Sequence, residues 1–490
     1  MSRFKRLTLL HSNDMHGDFN AEKVDSSLVG GVSMLSGYVN KIRRQQPSTP
    51  YCIAGDMFRG SVIDSEFKGA STIEIMNIIS PDVVTLGNHE TDYGIAHLLF
   101  LEKCAKFPII NANLYIKSNN VRLFRPYTIL ETDGMKILFI GIITEGVMTR
   151  AKSEGLIGSF LDIHQAAAEV GRICDAHNAL DIDLTVLLTH IGFEEDKKLA
   201  AELDPAWGVD IIIGGHSHTF IEKPEIVNNI AIVQAGIGTD QIGRFDITVD
   251  TDNNCIHEYT WQSIPVNDDN CPRDEAIDKV LSGYQQVTDK KYKRVVTRLL
   301  RQLTHPSRYQ ETQLGNLFSD ILADSLGVDI MFLASGSIRS TAMGPLVQYA
   351  DLIECFPYSD VIYMMTVTGA QLRKMLGYML RREVWQGGHN GFFQISHRLR
   401  LVYDVAGSRF LQFEFDGSEV EDDRLYKIGI QKYQYSSFEK YFGFPSSEAE
   451  TSRQSKAIAT SSRDIIEEYL SSYQNIDKEV DGRITLINKN

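Results

Sequence analysis

The chain has 490 residues, too many for one ordinary domain, and its length suggests two to four. A hydrophobic content of 43% beside 23% charged residues excludes a disordered or membranous chain. The balance of 49 basic against 64 acidic residues, a net charge of -15, argues against nucleic acid as a main partner, because a phosphate backbone rewards Lys and Arg.

The N-terminus, MSRFKRLTLLHSND, passes from Met to a strand within a handful of residues. It shows no apolar h-region ending in a small-residue cleavage site, so the expected location is the cytoplasm; a chain trimmed of a leader would read the same. The longest apolar stretch, KILFIGIIT from Lys136 to Thr144, is far short of the ~20 residues a membrane span needs, so no membrane association is expected. Six cysteines without a C-x-x-C pair read as ordinary reduced thiols.

The N-terminal half repeats one pattern, an apolar run that ends in glycine or a polar cluster. RLTLL ends in His11-Ser12-Asn13-Asp14-Met15-His16-Gly17, YCIA in Gly55-Asp56, and DVVTL in Gly87-Asn88-His89-Glu90. ILFIGII ends in Thr144-Glu145, LTVLL in Thr189-His190, and VDIII in Gly214-Gly215-His216-Ser217-His218. Continuous apolar strands alternating with amphipathic segments predict an α/β layered domain with a sheet buried on both faces. In such sheets chemistry gathers where strand C-termini open into loops. A turn needs glycine and one Asn or Asp, and has no use for the further His and acids of GNHETDYG. In Gly215-His216-Ser217-His218, two imidazoles at i and i+2 of an extended chain are expected to point the same way.

Carboxylates, imidazoles and an amide oxygen suit Mn, Zn, Fe, Co or Mg, and no thiolate lies nearby for a closed structural zinc site. A two-metal site needs a short carboxylate to bridge ions ~3.5–4 Å apart, and it activates a water to hydroxide at neutral pH. In order and spacing, Asp14-x-His16, Gly55-Asp56, Gly87-Asn88-His89-Glu90, His190 and Gly215-His216-Ser217-His218 strongly resemble the calcineurin-like metallophosphoesterases. That resemblance implies a four-layer αββα sandwich and two divalent metal ions. It assigns Asp14, His16, Asp56 and His218 to one ion and Asp56, Asn88, His190 and His216 to the other, with Asp56 as the bridge. It places His89 facing the scissile phosphate, and Asp92, one helical turn on, is positioned to hold it protonated.

The segment PRDEAIDKVLSGYQQVTDK has apolar positions Ile277, Val280, Leu281, Tyr284 and Val287 at helical spacing behind Pro272 and two early acids. It predicts a linker helix within residues 272–295, between a catalytic domain over 1–271 and a second domain over 296–490. Beyond it, ETQLGNLFSDIL, ASGSIRS, CFPYSDVIYMMTVTG, GFFQIS and DGRITLI resemble the C-terminal domain of the 5′-nucleotidase family, an α/β nucleotide-recognition domain. By that resemblance Arg308 and Arg339 face the phosphate-rich side of the substrate. Tyr358 and Tyr433 stand where the family has two base-stacking phenylalanines, Asp360 where it has an Asn, and Glu439 at the position of an Asp. The chain departs from the pattern at Ala334, Ser337 and Tyr358-Ser359-Asp360, and the stretch from Tyr433 to Tyr441 lacks the family's glycines.

The expectation is a dinuclear phosphohydrolase that removes phosphate from 5′-nucleotides, with nucleoside diphosphates, nucleotide sugars or 2′,3′-cyclic nucleotides as extras. Three alternatives are a phosphatase of a non-nucleotide phosphoester, an exonuclease, disfavoured by the net charge, and a non-catalytic nucleotide binder, which would have no use for all these ligands.

Overall fold

A computed structural model describes residues 3–116, 121–143, 159–160, 162–385, 391–449 and 455–488. The Thr144-Glu145 ending expected of the ILFIGII run falls outside these residues. The chain forms two compact units, Met1–Thr288 and Asp289–Asn490.

The apolar runs of the first unit are distributed over two six-stranded sheets, as the resemblance implied and the apolar pattern alone did not specify. The first has the order Cys255–Pro265, Gln241–Asp250, Phe4–Ser12, Tyr51–Ala54, Val83–Thr85, Ile109–Ile110. The second runs Glu225–Val227, Ile230–Val233, Ile211–Ile213, Leu184–His190, Met135–Ile143, Tyr127–Thr132. Runs such as Tyr51–Ala54 and Leu184–His190 are buried at every position. One side of each strand meets the opposite sheet and the other side meets helices, so no position is left for a polar alternation.

Between the sheets, Leu7, Leu9, Cys52, Ala54 and Val83 pack with Ile137, Phe139, Val186, Leu188 and Ile213. Helices Val32–Gln45, Ala70–Ile79 and Ile95–Cys104 cover the outer face of the first sheet, and Ile163–His177 and Phe193–Glu202 that of the second. The result is a four-layer αββα sandwich. Within each sheet the central strands are parallel, so their C-terminal ends share an edge and their loops meet there.

A helix spans Glu275–Tyr292. Its early turns belong to the first unit: Ile277 and Leu281 join the core, with Val280 and Tyr284 packed against it, while Val287 stays exposed.

The second unit holds a five-stranded sheet ordered Phe393–Ile395, Ile330–Ala334, Leu425–Gln431, Ile362–Thr368, Lys456–Ala459. A four-stranded sheet is ordered Ser418–Glu419, Arg409–Phe415, Leu399–Asp404, Ile484–Ile487. Arg483 is completely buried and bonds both oxygens of Asp320, at 2.6 and 2.8 Å, fixing the DGRITLI segment. No helix among the described residues is long and apolar enough to cross a membrane, and all six cysteines are free.

His11 gives the first unit an acid-sensitive point. Its Nε2 accepts the Trp261 indole N–H at 3.1 Å, its Nδ1 is buried without a partner, and burial pushes its pKa down to about 3. The unfolded chain therefore binds a proton on His11 below its ordinary 6.5, and the folded chain does not until about pH 3. The stability contributed by neutral His11 is complete above the unfolded value and is lost as pH falls. Between pH 7.5 and 5 the loss is about 2 kcal/mol. Urea unfolding followed by tryptophan fluorescence should show His11→Phe losing about 2 kcal/mol less than the parent over that interval; equal acid losses would rule His11 out as the source.

Candidate active site

The seven expected ligand residues and the expected His-Asp pair all lie at or just beyond strand C-terminal ends in the first unit. Phe4–Ser12 leads to Asp14 and His16, Tyr51–Ala54 to Asp56, and Val83–Thr85 to Asn88 and His89. From the second sheet, Leu184–His190 ends on His190, and Ile211–Ile213 leads to His216 and His218. The two sets of loops interlock: His190 Nδ1 donates to the carbonyl of Ala54, from the other sheet, at 2.8 Å. Gly215 permits this closeness, because a Cβ there would lie 2.6 Å from the Ala54 carbonyl oxygen and 2.8 Å from His190 Nδ1.

Asp56 is central. Its Oδ2 lies 3.1 Å from His190 Nε2 and 3.9 Å from His16 Nε2, and its Oδ1 accepts the His89 amide at 2.8 Å. Asp14 Oδ1 lies 3.5 Å from His218 Nε2, 3.8 Å from His190 Nε2 and 3.9 Å from His16 Nε2. Asn88 Oδ1 is 2.8 Å from His216 Nδ1 and 3.3 Å from His190 Nε2. His16 Nε2 and His218 Nε2 face each other at 3.1 Å.

Three overlapping groups bring one ligand atom per residue within 4.8 Å of one another: Asp14-His16-His218, His16-Asp56-His89 and Asp56-His190-His216. The donors are nitrogen and oxygen only. His190 spends its Nδ1 hydrogen on Ala54, which turns Nε2 toward Asp56, the arrangement by which an outer carbonyl orients a ligating imidazole. These residues fit divalent cations.

The electrostatics agree. Burial alone would lower the pKa of His190, but its bond to Asp56 and the charges of Asp56 and Asp14 raise it to about 9. Burial works to raise Asp56, and the His190 bond with the His89 amide outweighs it, leaving about 2. The carboxylates draw positive charge into the cluster, as a cation site must.

Strain gathers here too. Asp14, His16, Asp56, His216 and His218 all have positive φ, between 49° and 79°. Left-handed backbone costs a non-glycine residue on the order of 1 kcal/mol or more, and such residues cluster at functional sites. The His216-Ser217-His218 stretch is therefore not the extended chain that the i, i+2 spacing suggested. In their left-handed turns the two imidazoles serve different neighbours, His216 meeting Asn88 and His218 meeting His16.

His89 opens a short 3-10 turn over His89–Thr91, and its Nδ1 is 2.7 Å from Asp92 Oδ2. The same oxygen lies 3.0 Å from Arg59 Nη1.

Several supporting residues escaped the sequence reading. Glu90 is buried and accepts the amides of Asp56, Met57 and Gly87 at 3.0, 2.7 and 2.7 Å, tying the Asp56 loop to the Asn88 loop. Burial and the nearby Asp56 raise its pKa to about 7. Asn13 donates to Asp14 Oδ2 at 2.7 Å and to the Gly236 carbonyl at 2.8 Å, and accepts from the Ala235 amide at 2.8 Å. Asp196, raised to about 7 by burial, takes Thr189 Oγ1 at 2.6 Å and Gln234 Nε2 at 3.0 Å, and Gln234 in turn accepts Ser217 Oγ at 3.0 Å. Its place inside GNHE could have marked Glu90; no signal marked the rest.

In the second unit the candidate recognition residues are looser. Ile362 pairs with Gln431 on adjacent antiparallel strands, so Tyr358 just before one strand and Tyr433 just after the other emerge at the same sheet edge. Both rings are exposed, at 43% and 59%. The Arg339 guanidinium lies 5.6 Å from the Tyr358 ring centre, and Tyr433 packs edge-on to Tyr441 at 6.2 Å. Asp360 Oδ2 accepts Gln431 Nε2 at 3.2 Å, and burial raises its pKa. Glu439 is exposed on helix Phe438–Phe442, beside a cavity of about 570 Å³ lined by Tyr435, Ser436, Ser437 and Lys440. Arg308 is exposed in the turn before Gln313–Leu326, and no contact links it to Arg339 among the described residues.

The family model for calcineurin-like phosphoesterases matches residues 7–220, and that for the 5′-nucleotidase C-terminal domain matches residues 288–444. Protein 5NUC of Lutzomyia longipalpis is 27% identical over 98% of this chain and 93% of its own length. The 5′-nucleotidase of Mus musculus is 25% identical over 98% of this chain and 90% of its own. Among solved structures, a 5′-nucleotidase precursor from Thermus thermophilus superposes with a TM-score of 0.60 at 22% identity, covering 99% of this chain and 100% of its own. With both halves matched in this order, the chain belongs to the 5′-nucleotidase family of calcineurin-like phosphoesterases, and it is a metal-dependent phosphoester hydrolase.

Proposed function

We propose that this protein removes phosphate from 5′-nucleotides at a two-metal site, with nucleoside diphosphates, nucleotide sugars and 2′,3′-cyclic nucleotides as further substrates. The observation that carries the reading is Asp56, whose carboxylate belongs to two of the three ligand groups and stands between His16 and His190. In this reading Asp14, His16, Asp56 and His218 hold one ion, and Asp56, Asn88, His190 and His216 the other. When bound, two divalent ions polarise the phosphoryl oxygens and lower the pKa of the attacking water.

The chain's own residues do the rest. Glu90 and Asn13 hold the carboxylate loops in their strained turns. Asp92 orients His89, whose second ring nitrogen serves the charge that develops on the phosphoryl and leaving oxygens. Tyr358 and Tyr433 offer faces to a nucleobase, Arg339 and Arg308 offer charge to the phosphate, and Asp360 and Glu439 offer acceptors to base or ribose.

Phosphate release from a panel of 5′-nucleotides, sugar phosphates and cyclic nucleotides, with Mn supplied, tests this reading. The 5′-nucleotides should give the highest kcat/KM. A second reading, hydrolysis of a non-nucleotide small phosphoester, draws on Glu439, which sits on a glycine-free helix; faster turnover of sugar phosphates would favour it.

The tyrosines make a sharper forecast. Base stacking is worth ~1–3 kcal/mol and holds ground and transition states alike. Tyr358→Ala or Tyr433→Ala should therefore raise KM for 5′-nucleotides ~5–150-fold with kcat little changed. Hydrolysis of p-nitrophenyl phosphate, which has no base, should be nearly untouched. Equal losses on both substrates would assign these tyrosines to the fold.

A further inference from the structure

The loop after Asp56 brings a cation into contact with the His89–Asp92 pair. Its backbone is held at several points. The Arg59 amide donates to Asp64 Oδ2 at 2.8 Å, and the same oxygen takes the Tyr93 hydroxyl at 2.8 Å. Asp64 is completely buried. Next to Arg59, Gly60 lies so close to the His16 carbonyl that a Cβ would stand 2.1 Å from its oxygen. Arg59 itself has a φ of 68°, one more left-handed residue beside the ligand loops. From this anchored turn its guanidinium Nη1 reaches Asp92 Oδ2 at 3.0 Å, the oxygen that also takes His89 Nδ1 at 2.7 Å.

We propose that Arg59 is a positioning residue for His89, acting through Asp92. A carboxylate held by the imidazole alone rotates about two bonds. One also held by a guanidinium on a fixed loop keeps a single orientation, and so does the imidazole that depends on it. The Asp92 side chain is 13% exposed and that of Arg59 46%. Solvent screens the charges of the pair, and the effect lies in orientation. The anchoring by Asp64 distinguishes Arg59 from a mobile surface arginine.

This proposal rests on the reading of His89 and Asp92 as catalytic, and a double-mutant cycle separates the two. The measurement is kcat and KM of the Mn-loaded full-length chain on p-nitrophenyl phosphate and on a 5′-nucleotide, with metal content and thermal unfolding recorded for each variant. Arg59→Gln should lower kcat about 10-fold on both substrates with KM nearly constant, because a misaimed catalytic group costs the transition state and not binding. Arg59→Lys should recover part of the loss. Arg59→Gln in an Asp92→Asn background should lower kcat no further, since residues acting as one unit are non-additive.

Additive losses would overturn the proposal, as would a rise in KM with kcat unchanged, which marks a substrate contact. Loss of metal or of thermal stability in Arg59→Gln would assign the residue to the fold and overturn it too. If Asp92→Asn and His89→Asn both kept full kcat, the catalytic reading of the pair would fail first and the proposal with it.

Discussion

Replacing His89 with asparagine will lower kcat by ~10²–10⁴ and leave the metal content unchanged. The imidazole sits one residue after Asn88 on a tight turn, so its side chain leaves the backbone in another direction, toward Asp92. A histidine whose Nδ1 is engaged by a carboxylate at 2.7 Å has its ring plane fixed and one nitrogen left for substrate. Asparagine keeps polarity but supplies neither the ring reach nor the charge, so the loss falls on the transition state and appears in kcat. Asp92→Asn should do less harm, because it orients without touching phosphate. One ring nitrogen of His89 also lies within 4.8 Å of ligand atoms of His16 and Asp56. A His89→Asn protein that lost an ion would therefore identify His89 as a ligand and contradict its role as a transition-state donor.

Asp56→Asn should be the most damaging single change, abolishing detectable turnover and at least one equivalent of bound metal. The amide keeps one acceptor oxygen, and its NH2 group points hydrogens where a second ion or an imidazole lone pair must approach. Asp56 has no alternative arrangement: it is buried, its amide is held by Glu90, and Gly87 presses against its carboxylate. Elemental analysis of the purified variant checks this. Two ions retained in Asp56→Asn would remove it from the bridging position.

The candidate site was legible because each of its residues follows an apolar run that could only be a buried strand. Parallel strands bring such endings together whatever the helices between them do. The two sheets were legible only through the family resemblance: Tyr51–Ala54 and Leu184–His190 read alike, and tertiary packing decides which sheet each joins. The left-handed turns at His216 and His218 were hidden for a similar reason. A non-glycine residue adopts that backbone only when its surroundings impose it, and here Asp14, Gln234 and Ser217 do so. Asn13 meets residues more than two hundred positions away, and no local pattern announces such a contact. In the second unit Tyr358, Tyr433 and Glu439 were named only through the family resemblance. The glycine-free stretch from Tyr433 to Tyr441 is helical over Lys432–Ser436 and Phe438–Phe442, a setting that spacing does not announce.

A metal titration read by phosphate release bears most closely on the two-ion mechanism. Protein stripped by chelation receives Mn in fractions of an equivalent, and hydrolysis of a 5′-nucleotide is followed at each step. Two ions sharing Asp56 require no turnover without metal, little up to the first equivalent, and a rise to the full rate as the second binds. Full turnover in the stripped protein or at one equivalent, or none with two ions bound, would contradict the mechanism.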